Sequence, residues 1–391
     1  MSRLAELIKE LCPDGVEYRP LSEFVRIRNG RDYKTLSPGN VPVYGSGGVM
    51  THVSEALGEG PTVLIPRKGS LDNIFFVEGK FWTVDTIFYT EIASDLDPKF
   101  FYYKMKTMRL SQMNEAAGVP SMNQRKLSRI QIPVPPLEVQ REIARILDQF
   151  TTLESELESE LEVRRAQYEH YRNHLLSYDS LASRGPVEMV TLGAIASIQR
   201  GRRFTLDQLG AVGRPAIHYG QIYTHYGVSA ASTLSYVEES FSSSLRFAFP
   251  GDVIVAGVGE TVEDVGIGVA WLGTDAVAYH DDSFALHHDQ DPRYLSYWLR
   301  SDEYHRQKRS FVSQGKVKRL SARGIAAVKL PLPDLSEQRR IADLLDNFDA
   351  LVNDISSGLP AEIAARRAQY EHYRDRLLSF PEKAVPGTDA S

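Results

Sequence analysis

Two long stretches of the chain show the apolar spacing of amphipathic helices. In 137–180 and again in 335–380, apolar residues recur every three or four positions, and charged residues occupy the positions between them. The first stretch contains no proline or glycine, whereas Gly358 and Pro360 predict a kink or a break in the second. Helices of this length are too long to be buried in one globular core, so we expect their apolar faces to pack against each other as a coiled coil. The residues predicted to pack in it are Leu147, Phe150, Leu153, Leu157, Leu161, Leu345, Phe348, Ile355, Leu359 and Ile363.

An internal repeat underlies this pattern. The sequence RRAQYEHYR occurs at 164–172 and again, unchanged, at 366–374. The segment 132–150 likewise matches 330–348, and each carries a Pro-x-Pro that marks the start of a helix. The matching segments follow the same order in both halves. Each half therefore consists of one variable module followed by one closely matched helical segment.

The variable modules, 1–136 and 181–334, show short β-rich runs separated by turn signals. The clearest runs are 62–66, 74–77, 86–90, 252–256 and 267–272. A helical stretch is predicted after Asp97-Pro98 and after Asp291-Pro292, because proline is favoured in the first turn of a helix. These patterns predict α+β modules with mixed or mainly antiparallel sheets. A disordered tail is expected at 381–391.

Composition narrows the class of protein. The chain has 391 residues, one cysteine (Cys12) and no apolar run long enough to cross a membrane, so a disulfide scaffold and a membrane span are excluded. The N-terminus lacks the apolar segment of a signal peptide. We therefore expect a cytoplasmic protein without a membrane partner.

The net charge of −6 hides a division between segments. The net charge is +2 over 1–136, −5 over 137–180, 0 over 181–334 and −3 over 335–391, so the acidity belongs mainly to the helices. The modules carry local basic clusters, several at similar positions of the repeat and next to aromatic and amide residues. A solvated loop explains any single cluster, but their recurrence favours contact with nucleic acid. The clusters are Arg26-Arg28-Arg31-Lys34, Arg67-Lys68, Arg125-Lys126-Arg129, Arg200-Arg202-Arg203 and Lys316-Lys318-Arg319.

Motifs for catalysis are absent or incomplete in the sequence. No phosphate-binding loop and no amino-methyltransferase tetrapeptide occurs. The Gly-Val-Gly run at 257–259 lacks the rest of a dinucleotide fingerprint, and a nuclease-like Asp…Glu-x-Lys at 72–80 has no counterpart in the second copy. Two aspartates and two histidines within 281–288 lack the ligand spacing of a metal site. We therefore expect no catalytic residue, metal or cofactor in this chain.

Taken together, the motifs resemble a known family over nearly the full length. A Pro-x-Pro-Leu-x-x-Gln-x-x-Ile-Ala-x-x-Leu-Asp-x-Phe segment at 133–150 has a looser copy at 331–348, in which Asp334 replaces a proline. The other matching motifs are LCPDGVEY at 11–18, Gly-Ser-Gly-Gly at 45–48 and Trp-Thr-x-Asp-Thr at 82–86. The chain resembles the DNA-specificity subunit of type I restriction–modification systems.

This resemblance implies a fold and partners. Each module would be an α/β target recognition domain, and the helices would form an antiparallel coiled coil that separates the domains with pseudo-twofold symmetry. The segment Leu4–Leu11 would dock near the end of the second helix. The chain would read a bipartite target in double-stranded DNA and hold two methyltransferase subunits, joined by motor-nuclease subunits in the full complex. It would itself be non-catalytic.

The resemblance also assigns the basic clusters and their polar neighbours to DNA contact. The residues expected to bind DNA are Arg28, Arg31, Tyr33, Lys34, Tyr44, Ser46, Arg67, Lys68, Ser70, Arg125, Lys126, Arg200, Arg202, Arg203, His218, Tyr219, Gln221, Lys316, Lys318 and Arg319. Two alternatives remain open at this point. One is the specificity subunit of a type IIB-like or methylation-only system, and the other is a scaffold that binds only proteins.

Overall fold

A computed structural model describes residues 3–114, 118–239, 244–354 and 357–383 of the chain. The chain folds into two compact units, which comprise 1–158 with 362–391 and 159–361. No helix among the described residues is both long and apolar enough to cross a membrane. The helices are α1 Arg3–Leu11, α2 Pro98–Thr107, α3 Gln124–Ser128, α4 Leu137–Leu175, α5 Tyr178–Ala182, α6 Leu192–Ile195, α7 Tyr219–Thr224, α8 Pro292–Trp298, α9 Asp302–Lys308, α10 Ala322–Ala327, α11 Leu335–Asn353 and α12 Leu359–Leu377.

The two long helical stretches differ in continuity. The first is one helix of 39 residues, α4, which ends at Leu175 because Ser177 leaves the helical conformation and caps the short helix α5. The second consists of α11 and α12, and the interruption falls beside Gly358 and Pro360, as the sequence predicts. A side chain at Gly358 would lie 2.5 Å from the Ala350 carbonyl oxygen, so glycine permits the chain to fold back closely there.

The first module is built on two four-stranded sheets. Its strands are β1 Tyr18–Pro20, β2 Val25–Asn29, β3 Pro38–Gly45, β4 Gly48–Val53, β5 Gly58–Glu59, β6 Thr62–Pro66, β7 Phe75–Val77, β8 Lys80–Thr83, β9 Ile87–Ile92 and β10 Gln131–Pro133. One sheet has the order β2-β9-β6-β7 and is antiparallel, and the other has the order β4-β3-β8-β5 with β3 and β8 parallel. The short pair β1-β10 lies where the module meets α4.

The second module repeats this plan with wider sheets. Its strands are β11 Glu188–Thr191, β12 Ala196–Arg200, β13 Leu209–Gly210, β14 Arg214–Ile217, β15 Ser229–Ala230, β16 Ser235–Val237, β17 Phe247–Ala248, β18 Val253–Ala256, β19 Val258–Gly259, β20 Gly268–Trp271, β21 Val277–Tyr279, β22 Ser283–His288, β23 Lys318–Arg319 and β24 Lys329–Leu332. The five-stranded sheets have the orders β12-β22-β18-β20-β15 and β13-β16-β14-β21-β17. The predicted α+β class, the β-rich runs and the helices after the two Asp-Pro pairs are confirmed.

A buried glutamine joins each module to the helix that follows it. In the first copy, the Gln140 side chain accepts from the Asp97 amide at 2.7 Å and donates to the Pro135 carbonyl at 2.7 Å. In the second, Gln338 accepts from the Asp291 amide at 3.1 Å and donates to the Pro333 carbonyl at 2.8 Å. Both glutamines are fully buried, so the repeated Pro-x-Pro…Gln motif is a structural joint.

The tyrosines of the repeated nine-residue sequence stack on phenylalanines of the facing helix. Within the first unit, Phe150 stacks on Tyr373 with ring centroids 5.7 Å apart, and Arg367 pairs with Glu154. Within the second unit, Phe348 stacks on Tyr171 at the same 5.7 Å. These contacts confirm helix pairing inside each unit, and the same two residue types make the contact in both copies.

The predicted packing stripe needs one correction. Leu147, Leu345 and Ile363 are buried, but Leu153 remains 36% exposed. It lies beside the stripe because the half-buried Glu154 occupies the position that faces α12. The remaining predicted stripe residues, Leu157, Leu161 and Leu359, are half-buried, and Ile355 falls outside the described residues.

The N-terminal helix packs near the end of α12, as expected. Leu4 is buried in the same cluster as Leu378 and Phe380. The prediction of a disordered tail is wrong for 381–383, because these residues form backbone hydrogen bonds with Val16. The Val16 amide donates to the Pro381 carbonyl at 2.9 Å, and the Lys383 amide donates to the Val16 carbonyl at 3.0 Å. Residues 384–391 lie outside the described part of the chain.

Candidate nucleic-acid interface

One short backbone segment holds the predicted DNA-binding loops of the first module together. We call residues 83–86 the first junction segment. Its Thr83 carbonyl accepts from the Arg31 amide at 2.7 Å, and its Thr86 carbonyl accepts from the amides of Arg67 and Lys68 at 2.8 and 3.2 Å. Three basic residues from two loops are thereby fixed on one stretch of backbone. The Trp-Thr-x-Asp-Thr motif thus supplies the backbone that positions the basic side chains.

The second module has an equivalent segment. We call residues 279–282 the second junction segment. Its Tyr279 carbonyl accepts from the Arg202 amide at 3.3 Å, and its Asp282 carbonyl accepts from the Gly257 amide at 2.7 Å. Arg202 and Gly257 take the places of Arg31 and Arg67. The backbone frame is therefore repeated, although the side chains attached to it have changed.

A glycine in each module lies against its junction segment. A Cβ atom at Gly30 would lie 2.0 Å from the Val84 carbonyl oxygen, and one at Gly201 would lie 2.2 Å from the His280 carbonyl oxygen. No side chain fits at that separation. The two glycines match in the sequence repeat, so the close approach of the two strands is an inherited part of the frame.

An open cleft of 370 Å³ lies beside the first junction segment. We call it the first cleft. It is lined by Asn29, Arg67, Lys68, Phe88, Ser121, Met122, Asn123 and Gln124. Most of these side chains are polar, and the Gln124 amide donates to the Asn29 side-chain oxygen at 3.4 Å. The lining therefore offers both amide and cationic groups to a ligand.

A larger cleft of 630 Å³ lies beside the second junction segment. We call it the second cleft. It is lined by Arg200, Gly257, Val258, Asp281, Asp282, Phe284, Ser310, Phe311, Val312, Ser313, Arg319, Leu320, Ser321 and Ala322. Its floor is apolar, because Val258, Phe284 and Leu320 are buried within it. Charged groups are confined to its rim.

The two clefts occupy the same place in the repeat. Asn29 pairs with Phe88 across β2 and β9, and Arg200 pairs with Phe284 across β12 and β22. These four residues line the corresponding walls of their clefts. The strand register therefore shows that one wall of the first cleft corresponds to one wall of the second.

The opposite walls also correspond. Lys68 forms a β-bridge with Ser121, and Val258 pairs with Arg319 in the same manner. Two residues further along the chain, Asn123 caps α3 and Ser321 caps α10 through their side-chain oxygens. Sequence comparison of the two halves did not reveal this correspondence, because few of these residues are identical.

The basic residues predicted in the first module fall into two groups. The side chains of Arg31, Lys34 and Lys68 are exposed, and none forms an ion pair with another described residue. Arg28 instead forms two hydrogen bonds with Glu91 across neighbouring strands, at 3.0 and 3.1 Å. Lys126 donates to the Met113 carbonyl. Arg28 and Lys126 therefore have partners within the module, which makes them weaker candidates for DNA contact than Arg31, Lys34 and Lys68.

The polar and aromatic residues predicted in the first module also fall into two groups, the half-buried tyrosines and the serines of the surface loops. Tyr33 and Tyr44 are half-buried and pack in small apolar clusters, where they support the β3–β4 hairpin. Ser46 lies at the hairpin tip, and its carbonyl accepts from the Asn73 side chain at 3.1 Å. Ser70 is exposed in the loop that carries Asn73, between β6 and β7. The hairpin tip and the basic loop therefore form one continuous surface.

The rim arginines of the second cleft share acidic partners. Arg200 lies 3.7 Å from both Asp281 and Asp282, and Arg319 lies 3.4 Å from Asp282. All of these ion pairs are partly exposed, and such pairs contribute only about 0–1 kcal/mol. A phosphate can therefore compete for the two arginines. Arg125, Arg202, Arg203 and Lys316 are exposed, and Lys318 is half-buried in β23.

A histidine pair lies at the edge of the second junction segment. The rings of His218 and His280 are 4.6 Å apart, and Tyr219 packs against both. Burial, with the nearby His280 charge, lowers the pKa of His218 to about 4, and burial also lowers the pKa of His280. Both rings are therefore neutral at pH 7, and they add hydrogen-bonding capacity without positive charge.

Two further results concern residues of the second module. Gln221, which is predicted to bind DNA, has both side-chain groups in hydrogen bonds: its oxygen accepts from the His218 amide at 3.0 Å, and its nitrogen donates to Ser235 at 2.7 Å. Arg323 was missed, although it is exposed and occupies the place of Arg125 after the helix cap. Extending the match between 132–150 and 330–348 towards the N-terminus would have found it.

One group of potential metal ligands occurs among the described residues. It consists of His280, Asp281 and Asp282. Because Arg200 and Arg319 already pair with the two carboxylates, the group is balanced by protein cations, and a metal ion would have to displace them. The arrangement suits an ion-pair network better than a metal centre.

Comparison with known proteins yields one consistent family. The type I restriction modification DNA specificity domain matches residues 13–163 and 185–365, once in each half of the repeat. A type I restriction enzyme specificity subunit of Haemophilus influenzae is 30% identical over 381 residues, which cover 93% of this chain and 96% of that protein. The EcoR124I/EcoR124II specificity subunit of Escherichia coli is 31% identical over 295 residues, covering 73% of this chain and 71% of that protein.

Two solved structures share the fold. The S subunit of a type I restriction–modification system from M. genitalium aligns with a TM-score of 0.55 at 16% identity, and the alignment covers 93% of this chain and 96% of that one. A chain from a study of complex assembly and conformational transition of the type I system aligns with a TM-score of 0.62, also at 16% identity, over 94% and 98% of the two chains.

Proposed function

The chain belongs to the type I restriction–modification DNA specificity family, and on that premise we propose that it reads a bipartite DNA target and holds two methyltransferase subunits. Each module reads one half-site through its cleft and the surrounding loops. Members of this family are specificity subunits and are non-catalytic. Methylation therefore depends on the bound methyltransferase subunits, and cleavage depends on motor-nuclease subunits that complete the complex in the cytoplasm.

The observation that carries the proposal is the pair of equivalent clefts. Each cleft is built on an equivalent junction segment, an equivalent glycine and an equivalent capped helix. The lining of the first cleft is nevertheless polar, and that of the second is mainly apolar. A frame that persists while its lining changes is suited to recognising two different sequences. Each base pair presents its own pattern of groups in the major groove, so side chains of different chemistry at equivalent positions select different bases. The two half-sites are accordingly different sequences.

The exposed basic residues around each cleft contact phosphates in the proposal. Lys68 lines the first cleft, and the Arg31 backbone is bonded to the junction segment beside it. The arginines of the second cleft are held by weak ion pairs. Phosphate contacts orient a protein on DNA, whereas groups inside the cleft read base edges. Arg31, Lys68 and Arg319 therefore set affinity more than sequence preference.

This assignment predicts a difference between free and paired arginines. Arg31→Ala and Lys68→Ala should each weaken binding to all DNA sequences and reduce the slope of log K against log salt by about one per contact. Arg28→Ala is the matched control, because Arg28 is already bound to Glu91 and should change the slope little. The measurement is a salt titration of DNA binding by the complex with its methyltransferase subunit. Equal slopes for all three variants would refute the assignment.

The repeated nine-residue sequence supports the binding of two identical partners. Residues 164–172 and 366–374 are identical, and most of their side chains are exposed in both copies. Internal packing does not require identity at exposed positions. One surface presented twice by the same chain is suited to two copies of one partner. We therefore assign these segments to the methyltransferase subunits.

Exposed apolar residues near these segments support the same assignment. Val163 and Tyr171 of α4 are 53% and 46% exposed, and Tyr373 of α12 is 38% exposed. Exposed aromatic and aliphatic side chains are typical of protein interfaces. Tyr171 and Tyr373 are equivalent in the repeat, so each proposed docking surface contains the same tyrosine.

Stoichiometry tests the docking surfaces separately. Glu169→Arg should remove one methyltransferase subunit, Glu371→Arg should remove the other, and the double variant should remove both, because each change reverses a charge within one copy of the repeated surface. Both glutamates are exposed. Glu156→Arg is the matched control, since Glu156 is an exposed residue of α4 outside the repeated sequence. Native mass spectrometry counts the subunits. Two bound subunits in the double variant would place the docking surfaces elsewhere.

A further inference from the structure

We infer that the second cleft reads the methyl edge of a thymine in the half-site of the second module. The inference rests on the proposed function and specifies what one of its two readers recognises. Its starting point is the chemistry of the lining. Where the first cleft presents Asn29 and Gln124, the second presents Arg200 and Ala322 at the same positions, and an apolar floor lies between them.

Two glycines leave the space that the phenylalanines of this cleft occupy. A side chain at Gly257 would meet the Phe284 ring at 2.6 Å, and a side chain at Gly324 would meet Phe311 at 2.8 Å. Because both positions are glycine, Phe284 can close the base of the cleft and Phe311 can pack against α10 at its edge. Phe284 is 7% exposed, whereas Phe311 is 41% exposed. Phe311 is therefore the apolar side chain most available to a ligand in this cleft.

The rim of the cleft is suited to bring DNA over this floor. Arg200 and Arg319 are 57% and 60% exposed at their side chains, and their shared partner Asp282 lies 3.7 and 3.4 Å away. The backbone of Ser313 bonds to Arg319 at 2.9 Å and closes a loop that carries Lys316. Because both arginines approach the same Asp282 oxygen, they place two cations side by side at the rim, where they can hold a phosphate next to a base on the apolar floor.

The methyl group of thymine is the base feature that matches such a lining. In the major groove, guanine, adenine and cytosine present hydrogen-bonding groups, and thymine alone adds an apolar methyl group. An apolar wall cannot satisfy a donor or an acceptor, so a base edge placed against Phe311 would lose its hydrogen bonds to water without replacement. Contact with the thymine methyl group avoids that loss.

Replacement of thymine by uracil tests the contact directly, because it removes the methyl group and leaves the hydrogen-bonding groups. The full complex with its methyltransferase subunit is titrated with duplexes that contain the recognised target, and each thymine of the second half-site is replaced singly by deoxyuridine. We expect one replacement to weaken binding about fourfold, the effect of burying one methyl group. Phe311→Ala should abolish this difference between thymine and uracil.

Phe249→Ala is the matched control, because Phe249 is a 58% exposed phenylalanine of the same module outside the cleft. It should keep the fourfold difference. If no thymine of the second half-site is sensitive to the replacement, or if Phe311→Ala retains the sensitivity, the inference is wrong. Should Phe311→Ala fail to assemble, the deoxyuridine series on the unaltered protein decides alone. Specific binding to the bipartite duplex without any sensitivity to uracil would overturn this inference and leave the proposed function intact, whereas loss of specific binding altogether would overturn both.

Discussion

The two modules share a backbone frame and differ in what they bury. Both use a glycine against a junction segment, a capped short helix and a buried glutamine at the start of the long helix. The first cleft is nevertheless polar and the second apolar. The comparison shows that the repeated residues maintain the frame, whereas the residues that line the clefts differ between the copies. The halves match most closely at these joints and in the repeated nine-residue sequence. Under the proposed function, the cleft residues that differ between the copies are the ones that read the two half-sites.

The second module also buries more ionisable groups. Burial lowers the pKa of Lys308 to about 7 and that of His305 to about 4. The Lys308 ammonium donates to the carbonyls of Glu263 and Val265 at 3.0 and 2.6 Å, so its charge is held by backbone dipoles. In the first unit, Lys104 is the lysine whose pKa is lowered by burial. The second module should therefore respond more strongly to pH.

The frame glycines give the largest predicted effect. Gly201→Ala should destabilise the second unit by about 3 kcal/mol, because the new methyl group would lie 2.2 Å from the His280 carbonyl oxygen. Gly30→Ala should do the same to the first unit. Hydrogen exchange measured by mass spectrometry resolves the two units separately. Each variant should lower protection in its own unit alone.

Gly47→Ala is the control for these glycines. Gly47 is exposed, and no atom lies within 4 Å of the position of its Cβ, so alanine should be tolerated there. If Gly201→Ala were as stable as Gly47→Ala, the close approach to the junction segment would not be a requirement of the frame.

The buried glutamines give the next largest effect. Gln140→Leu and Gln338→Leu should each destabilise the protein by about 2 kcal/mol, because buried backbone groups at the joint lose their partners. Gln149→Leu, at an exposed position of α4, should be neutral. Thermal unfolding followed by circular dichroism measures the difference. A neutral Gln338→Leu would show that the second joint is held by other contacts.

The smallest predicted effect is the pH dependence that His305 gives to the second unit. The folded pKa of His305 is about 4 and its ordinary value is 6.5, so the unfolded chain binds the proton first as the pH falls. The contribution of His305 to stability is therefore fully present above pH 6.5 and is lost as the pH falls towards 4. His305→Gln should reduce this loss by about 1 kcal/mol in hydrogen exchange of the second unit. An unchanged pH profile in the variant would contradict the assignment.

Sequence patterns predicted the repeat, the long helices, the break beside Gly358 and the main strands, because these depend on local spacing. They did not predict which basic residues are free. Arg28 is paired with Glu91, which lies 63 residues away in the chain, and Gln221 is used by a cap and by Ser235. Such pairings depend on strand register rather than on local sequence. The sequence also did not predict the equivalence of the two clefts, because most of their lining residues differ between the copies and only the strand register aligns them.

Methylome sequencing tests the central claim most directly. The chain is expressed with its methyltransferase subunit in a host that lacks this methylation, and modified bases are mapped across the genome. The account predicts one bipartite motif, with two different half-sites separated by an unspecified spacer and methylated on both strands. A continuous motif, or the same half-site read twice, would contradict the claim that two differently lined clefts read two different sequences.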